Sequence, residues 1–162
     1  MPSTSTRTSA AAPAMVDVRG PRFAAWVTTV VIVATLIAAT FSLPAAAVVL
    51  AVQAVVFAIG AWRGPREHPY GLVFSRLVLP HLGPVTEREP VPPLKFAQLV
   101  GFVFAVAGVA GFAAGIQLLG SIATGFALVA AFLNAAFGIC LGRQIYPLVV
   151  RIRKDSRTPS TV

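Results

Sequence analysis

The stretch N-A-A-F-G-I-C-L-G-R-Q-I-Y, Asn134 to Tyr146, sets an amide, the only cysteine and an arginine into a run of apolar residues. Cys140 is a nucleophile or redox group only as thiolate, and Arg143, about 60° from it around a helix, would favour that form. Lipid and a nearby helix C-terminus oppose ionisation, so buried packing is the competing use of the same side chain. With one cysteine the chain forms no intrachain disulfide. Asn134 lies about 180° around from Arg143, so the stretch is not one compact site. It marks where a helix leaves a membrane, with Arg143 snorkelling outward and Tyr146 among headgroups.

Two amides stand deep in apolar runs. At about 1.5 Å per residue, Gln53 and Asn134 both lie roughly 14 Å from the nearest following arginine, near the middle of a bilayer. Equal depth makes them candidate hydrogen-bond partners across helices, or the polar points of a cavity for a small molecule such as a quinone. His68 and His81 fall in a proline-rich stretch without cysteines, the pattern of exposed loop histidines rather than of a metal site. No Ser/His/Asp arrangement, phosphate loop or deep carboxylate pair is present, so no catalytic residue, cofactor or metal is expected. The cores contain no Asp, Glu, Lys or His either, which argues against a proton relay or an ion-coupled pump.

The elements that would carry these residues follow from hydropathy. The 162 residues are 57% hydrophobic and 11% charged, with a mean hydropathy of +0.83, against about 25% charged in soluble domains. No residue is charged from Phe23 to Trp62, nor from Phe96 to Gly142, and each run suffices for two crossings of about 20 residues. Ser42-Leu43-Pro44 and Gln117 to Ser121 divide them. The expected fold is all-α: an integral membrane bundle of four transmembrane helices, at about 23–42, 45–62, 96–118 and 121–146, in two hairpins. A proline-rich cytoplasmic connector, 63–95, would join the hairpins and hold a short interfacial helix over Tyr70 to Leu79. Residues 1–16 are expected as a disordered cytoplasmic tail, 17–153 as the membrane domain and 154–162 as a second tail.

All charges lie outside the cores, and the net charge of +8 falls on the tails and connector. Excess Arg and Lys stay cytoplasmic, so both termini and the connector are placed in the cytoplasm of a bacterial cell (inner) membrane. The charge is thus a topology signal and does not point to nucleic acid. Trp26, Trp62 and Tyr146 fall where interface anchors belong. Arg151, Arg153 and Lys154 form a basic cluster suited to anionic lipid. Arg22 to Ala34 and Lys95 to Ala107 share a weak pattern at a constant offset, as two parallel copies of one hairpin would.

Helices in lipid adhere through small residues. Gly101, Ala105, Gly108, Gly111 and Gly115 on the third helix, and Ala131, Ala135, Gly138 and Gly142 on the fourth, follow steps of three and four. They predict that the third and fourth helices make the tightest contact in the bundle.

V-D-V-R-G-P-R-F (Val16 to Phe23), H-P-Y-G (His68 to Gly71), K-F-A-Q (Lys95 to Gln98) and N-A-A-F-G-I-C-L-G (Asn134 to Gly142) resemble the DUF 4395 family of small bacterial membrane proteins, common in actinobacteria. The resemblance implies four membrane helices and no assigned activity. Family members often continue C-L-G into a second cysteine, which suggests thiol or sulfur-transfer chemistry; here Arg143 takes that place, so the resolving thiol of a two-cysteine mechanism is missing. The expected role is association: an accessory or scaffold subunit of a larger membrane complex, or a self-associating one, and not an enzyme. A thiol-linked redox or sulfur-transfer component using Cys140, and a small-molecule conduit around Gln53 and Asn134, are the alternatives.

Overall fold

The computed structural model describes residues 14–138 and 151. Four long helices dominate it: α1 Arg19–Phe41, α2 Leu43–Arg63, α4 Val91–Ala113 and α5 Gln117–Phe137. All four are long and apolar enough to cross a membrane. Between α2 and α4 the connector forms the short helix α3, Pro69–Val73, which runs on as a π-turn, Phe74–Val78, and a 3-10 turn, Leu79–His81. The chain also contains a two-stranded antiparallel ribbon, β1 Met15–Asp17 against β2 Arg88–Pro90. Met15 and Val16 therefore belong to ordered structure and not to a tail, because Val16 is buried against Leu94. Arg19 reinforces the ribbon: its guanidinium donates to Asp17 Oδ2 at 2.8 Å and to the Gly83 carbonyl at 3.2 Å.

The helix boundaries differ from the expected ones for local reasons. Ser42 alone joins α1 to α2, its hydroxyl accepting from the Ala45 amide at 3.3 Å, with Pro44 in the first turn where a missing N–H costs nothing. The same tolerance lets α4 begin at Val91, ahead of Pro92 and Pro93, which look like helix breakers in the sequence. The second hairpin turns at Ala114, Gly115 and Ile116, with Gly115 at φ +74°; Gln117 to Ser121, expected to be the turn, is the first turn of α5. Gln117 instead donates to the Ala39 carbonyl at 3.3 Å, linking the two hairpin turns. At its far end α5 stops at Phe137, where Gly138 takes the left-handed conformation, φ +67°, typical of a helix cap. Cys140, Gly142, Arg143, Tyr146, Arg153 and Lys154 lie outside the described residues, and Arg151 is exposed.

The long helices close a ring in the order α1, α2, α4, α5, so α1 faces α4 and α2 faces α5 across it. Their lengths of 23, 21, 23 and 21 residues, with this order, are what two parallel hairpin copies would give. The half of the ring near the hairpin turns is filled by Ile32, Ala46, Leu50, Ala105 and Phe112. Three buried hydroxyls are satisfied within their own helices: Thr29 donates to Ala25, Thr35 to Val31 and Thr124 to Gly120, as an apolar surrounding requires. Large apolar side chains cover the outside, among them Val30, Ile37, Val48, Val52, Val55 and Val103, as a hydrocarbon solvent permits and water does not. Trp62 is wide open at the connector end of α2, and Trp26 meets Phe132 edge-on.

Small residues make the contacts, although not all as expected. The backbones of α4 and α5 come close at one point: a methyl on Gly111 would fall 2.8 Å from Gly120 Cα. The most extensive pairing is nonetheless α2 with α4, and not α4 with α5 as expected. Gly101 packs on Phe57 of α2, and Gly108 meets both Leu50 of α2 and Thr124 of α5. Gly115 faces open space, and Gly138, with φ +67°, has the Arg22 guanidinium at 4.0 Å as its neighbour among the described residues; both have the positive φ of turns and caps. Ala105 and Ala135 are fully buried, and Ala131 faces a cavity.

Candidate functional site

In the connector half the ring is not filled. A cavity of about 290 Å³ lies between α1, α2, α4 and α5. Its wall is mostly apolar, from Ala24, Phe57, Leu94, Phe104 and Ala127, and among the described residues no charged side chain lines it. Thr28, His68, Gln98 and Asn134 supply the polar points.

His68 reaches this position because the connector folds back on the bundle. Gly64 leaves α2 at φ +97°, and Gly71 crosses so close to the Pro65 carbonyl that any side chain would collide with it. The loop between them presses His68 onto α2 at Gly60, where a methyl would fall 2.6 Å from His68 Cδ2 and 3.0 Å from Gln98 Cδ. His68 and Gln98 thus share the notch that Gly60 leaves. His68 is 1% exposed, and neither ring nitrogen has a protein partner; Gln98 Oε1 is likewise buried and unpartnered. Burial pushes the His68 imidazolium pKa down from its usual 6.5 to about 4, so the ring is neutral at physiological pH, with one donor and one acceptor nitrogen. Buried polar atoms without partners are rare in folded proteins, and a cluster of them on a cavity wall is the usual mark of an absent ligand or water.

The other deep amide found a different partner. Tyr70, stacked edge-on with His68 at 5.1 Å, donates its hydroxyl to Gln53 Oε1 at 2.7 Å. Gln53 therefore pairs with the connector and not with Asn134, which stands on a helix across the ring and faces the cavity. Burial raises the Tyr70 pKa, which keeps its phenol protonated to donate. Replacing Tyr70 with Phe leaves both ends of the buried Gln53 amide unpaired. Thermal unfolding in detergent should show a loss of about 1–3 kcal/mol, with Gln53→Leu restoring part of it in the double variant.

Two cations brace this end of the ring. Arg22 Nη2 reaches the Ala136 carbonyl at 3.5 Å, tying α1 to the C-terminus of α5, and Lys95 Nζ donates to the Trp62 carbonyl at 2.6 Å, tying α4 to the end of α2.

Of the residues singled out in the sequence for packing or buried polarity, Gly101, Ala131 and Asn134 are in the cavity wall and Gln53 lies outside it. The sequence reading missed His68, Gln98 and Tyr70, treating the first as an exposed loop histidine. One signal pointed to them: the four stretches that carry the family resemblance converge here, through Gly20 and Pro21, His68, Gln98, and Asn134. Among the described residues no group of three or more His, Cys, Asp or Glu could hold a metal ion.

Four apolar spans around a partly hollow core define a multi-pass membrane protein of the helical-bundle class. Residues 16–151 match the family described as a domain of unknown function, DUF4395, and the chain belongs to that family. No curated protein and no solved structure matches it.

Proposed function

We propose that this membrane protein holds one small, uncharged, amphiphilic molecule inside its bundle, with the polar end at His68, Gln98 and Asn134, and carries out no bond-making step itself. The observation that carries this reading is the fully buried His68, whose two ring nitrogens lack protein partners at the edge of an otherwise apolar cavity. The volume supports a ligand of modest size, since a cavity of about 150 Å³ accommodates benzene. A ligand with a net charge would find no counter-ion among the described residues of this low-dielectric site, at a cost of several kcal/mol. The sequence-level conduit alternative is thereby moved from Gln53 and Asn134 to His68, Gln98 and Asn134.

Ala130→Phe tests the reading by filling the cavity with a ring. The neutral fraction of a membrane lipid extract should raise the unfolding temperature of the wild type and leave Ala130→Phe unmoved; no shift in either contradicts binding.

Association as an accessory or scaffold subunit is the second reading. It is favoured by the exposed apolar residues Val73, Leu77, Leu82 and Val85 on the connector, outside the four spans. In both readings the connector and termini face the cytoplasm, because Arg63, Arg66, Arg76, Arg88 and Lys95 cluster at that end while both hairpin turns lack charge. Arg151, Arg153 and Lys154 would then meet anionic lipid of the same leaflet. A maleimide directed to Thr86→Cys should react only from the cytoplasmic side; reaction from outside would invert the topology.

A further inference from the structure

The cavity has a side opening, and its position specifies where the ligand comes from. Near their turn α4 and α5 are clamped, with Gly111 against the backbone of Gly120 and Gly108 against Thr124. Further along, the small residues give way to Phe104 and Phe126, whose rings stack with centroids 5.5 Å apart. This stack lies on the connector side of the clamp, at the seam between α4 and α5, with Phe126 at the outer face. Beyond this stack Val100 of α4 and Val129 and Ala130 of α5 line the cavity. Phe126 and Val129 are also 57% and 54% exposed on the outer face of the bundle. Both side chains thus border the cavity and the surrounding medium at once, and they sit within a helix whose neighbouring exposed residues, Ile122 and Phe132, are apolar. The medium at that mouth is hydrocarbon.

The geometry points to admission from the bilayer through the cleft between α4 and α5, which makes the ligand a membrane-resident, uncharged lipid whose polar end carries a hydroxyl or carbonyl oxygen. This rests on the binding reading above and names its ligand class and route. A lipid sliding in sideways keeps its apolar part in an apolar surrounding throughout, and only its head must shed water. The interior offers that head the matching set: the donor and the acceptor nitrogen of neutral His68, the Gln98 carbonyl as acceptor, and the Asn134 amide. A carboxylate or phosphate head meets no cation among the described residues of the cavity wall, which disfavours a charged lipid.

The test uses the full chain in phosphatidylcholine nanodiscs and two photoreactive probes of equal length, a diazirine-bearing long-chain alcohol and the corresponding fatty acid at pH 8. After irradiation, peptide mass spectrometry should place the alcohol on Gln98, Val100, Phe104 and Val129. The acid should label these at least tenfold less. Val129→Trp, which narrows the mouth without touching His68 or Gln98, should slow the appearance of label on Gln98 at least tenfold. His68→Leu should lower labelling while leaving thermal stability equal or higher, which separates a lost contact from a lost fold. Unchanged labelling kinetics in Val129→Trp, with Gln98 still labelled, would overturn the lateral route and leave binding standing. Equal labelling by the acid would overturn the ligand class. Label confined to outward residues such as Val48 and Val52 would overturn both this inference and the binding reading.

Discussion

Gly111→Leu should destabilise the bundle severely. Overpacking a core costs about 1–3 kcal/mol when side chains can yield, and more when they cannot. Here the obstacle is the backbone of Gly120 itself, so the helices must separate and the loss should reach about 3 kcal/mol or more, a large share of the 5–15 kcal/mol typical of a domain. Gly125→Leu is the control: the Cβ there meets nothing within 4 Å, and the variant's unfolding temperature should stay near wild type. Gly115→Ala separates a second cause. Space is free around it but φ is +74°, so backbone strain alone should cost about 1 kcal/mol. Thermal unfolding of the three variants in one detergent should rank them, from least to most stable, Gly111→Leu, Gly115→Ala, Gly125→Leu, and a Gly111→Leu protein as stable as Gly125→Leu would refute the α4–α5 clamp.

Acid should destabilise the protein through His68. In the unfolded chain this imidazole titrates near 6.5, and in the fold near 4, because burial disfavours the charged form. Above pH 6.5 neither state binds the proton and the group contributes no pH dependence. Between 6.5 and about 4 the unfolded state takes up a proton that the folded state refuses, so stability falls as pH falls. Below about 4 both states are protonated and the loss levels off. At 1.36 kcal/mol per unit, the full loss is about 3 kcal/mol. His68→Leu should remove this pH dependence and, by deleting buried polar atoms without partners, unfold no more easily than wild type at pH 7. A variant that keeps the same acid profile would show that His68 is solvated in the folded state. The connector would then not fold back on α2.

The spans were legible because hydrocarbon imposes one rule on every lipid-facing position, and Phe23 to Trp62 and Phe96 to Gly142 obey it without exception. Helix ends were less legible. Pro92 and Pro93 signal a break in the sequence but are harmless in a first turn, and Gln117 looked like a turn residue until Ala39 across the bundle supplied its partner. The small residues announced close packing without naming the partner helix, since Gly101 and Gly108 look alike in sequence yet one meets α2 alone and the other both α2 and α5. The cavity was invisible for a further reason. Volume arises from how four helices and the connector pack together, which no single stretch of the sequence states. His68 was misread because loop histidines are usually solvated; only the re-entrant path through Gly64 and Gly71 buries this one. Gln53 was correctly read as an amide in need of a partner, and the partner, Tyr70, came from a segment that sequence spacing placed at the membrane surface.

That the hollow at the connector end of the ring is occupied by an uncharged lipid is tested most directly by native mass spectrometry of the full chain released from nanodiscs made with membrane lipid. Wild type should carry one neutral adduct per chain that survives delipidation of the outer surface, and Ala130→Phe should fly without it. Identical, adduct-free masses for the two proteins would contradict the account and leave His68 and Gln98 facing water alone.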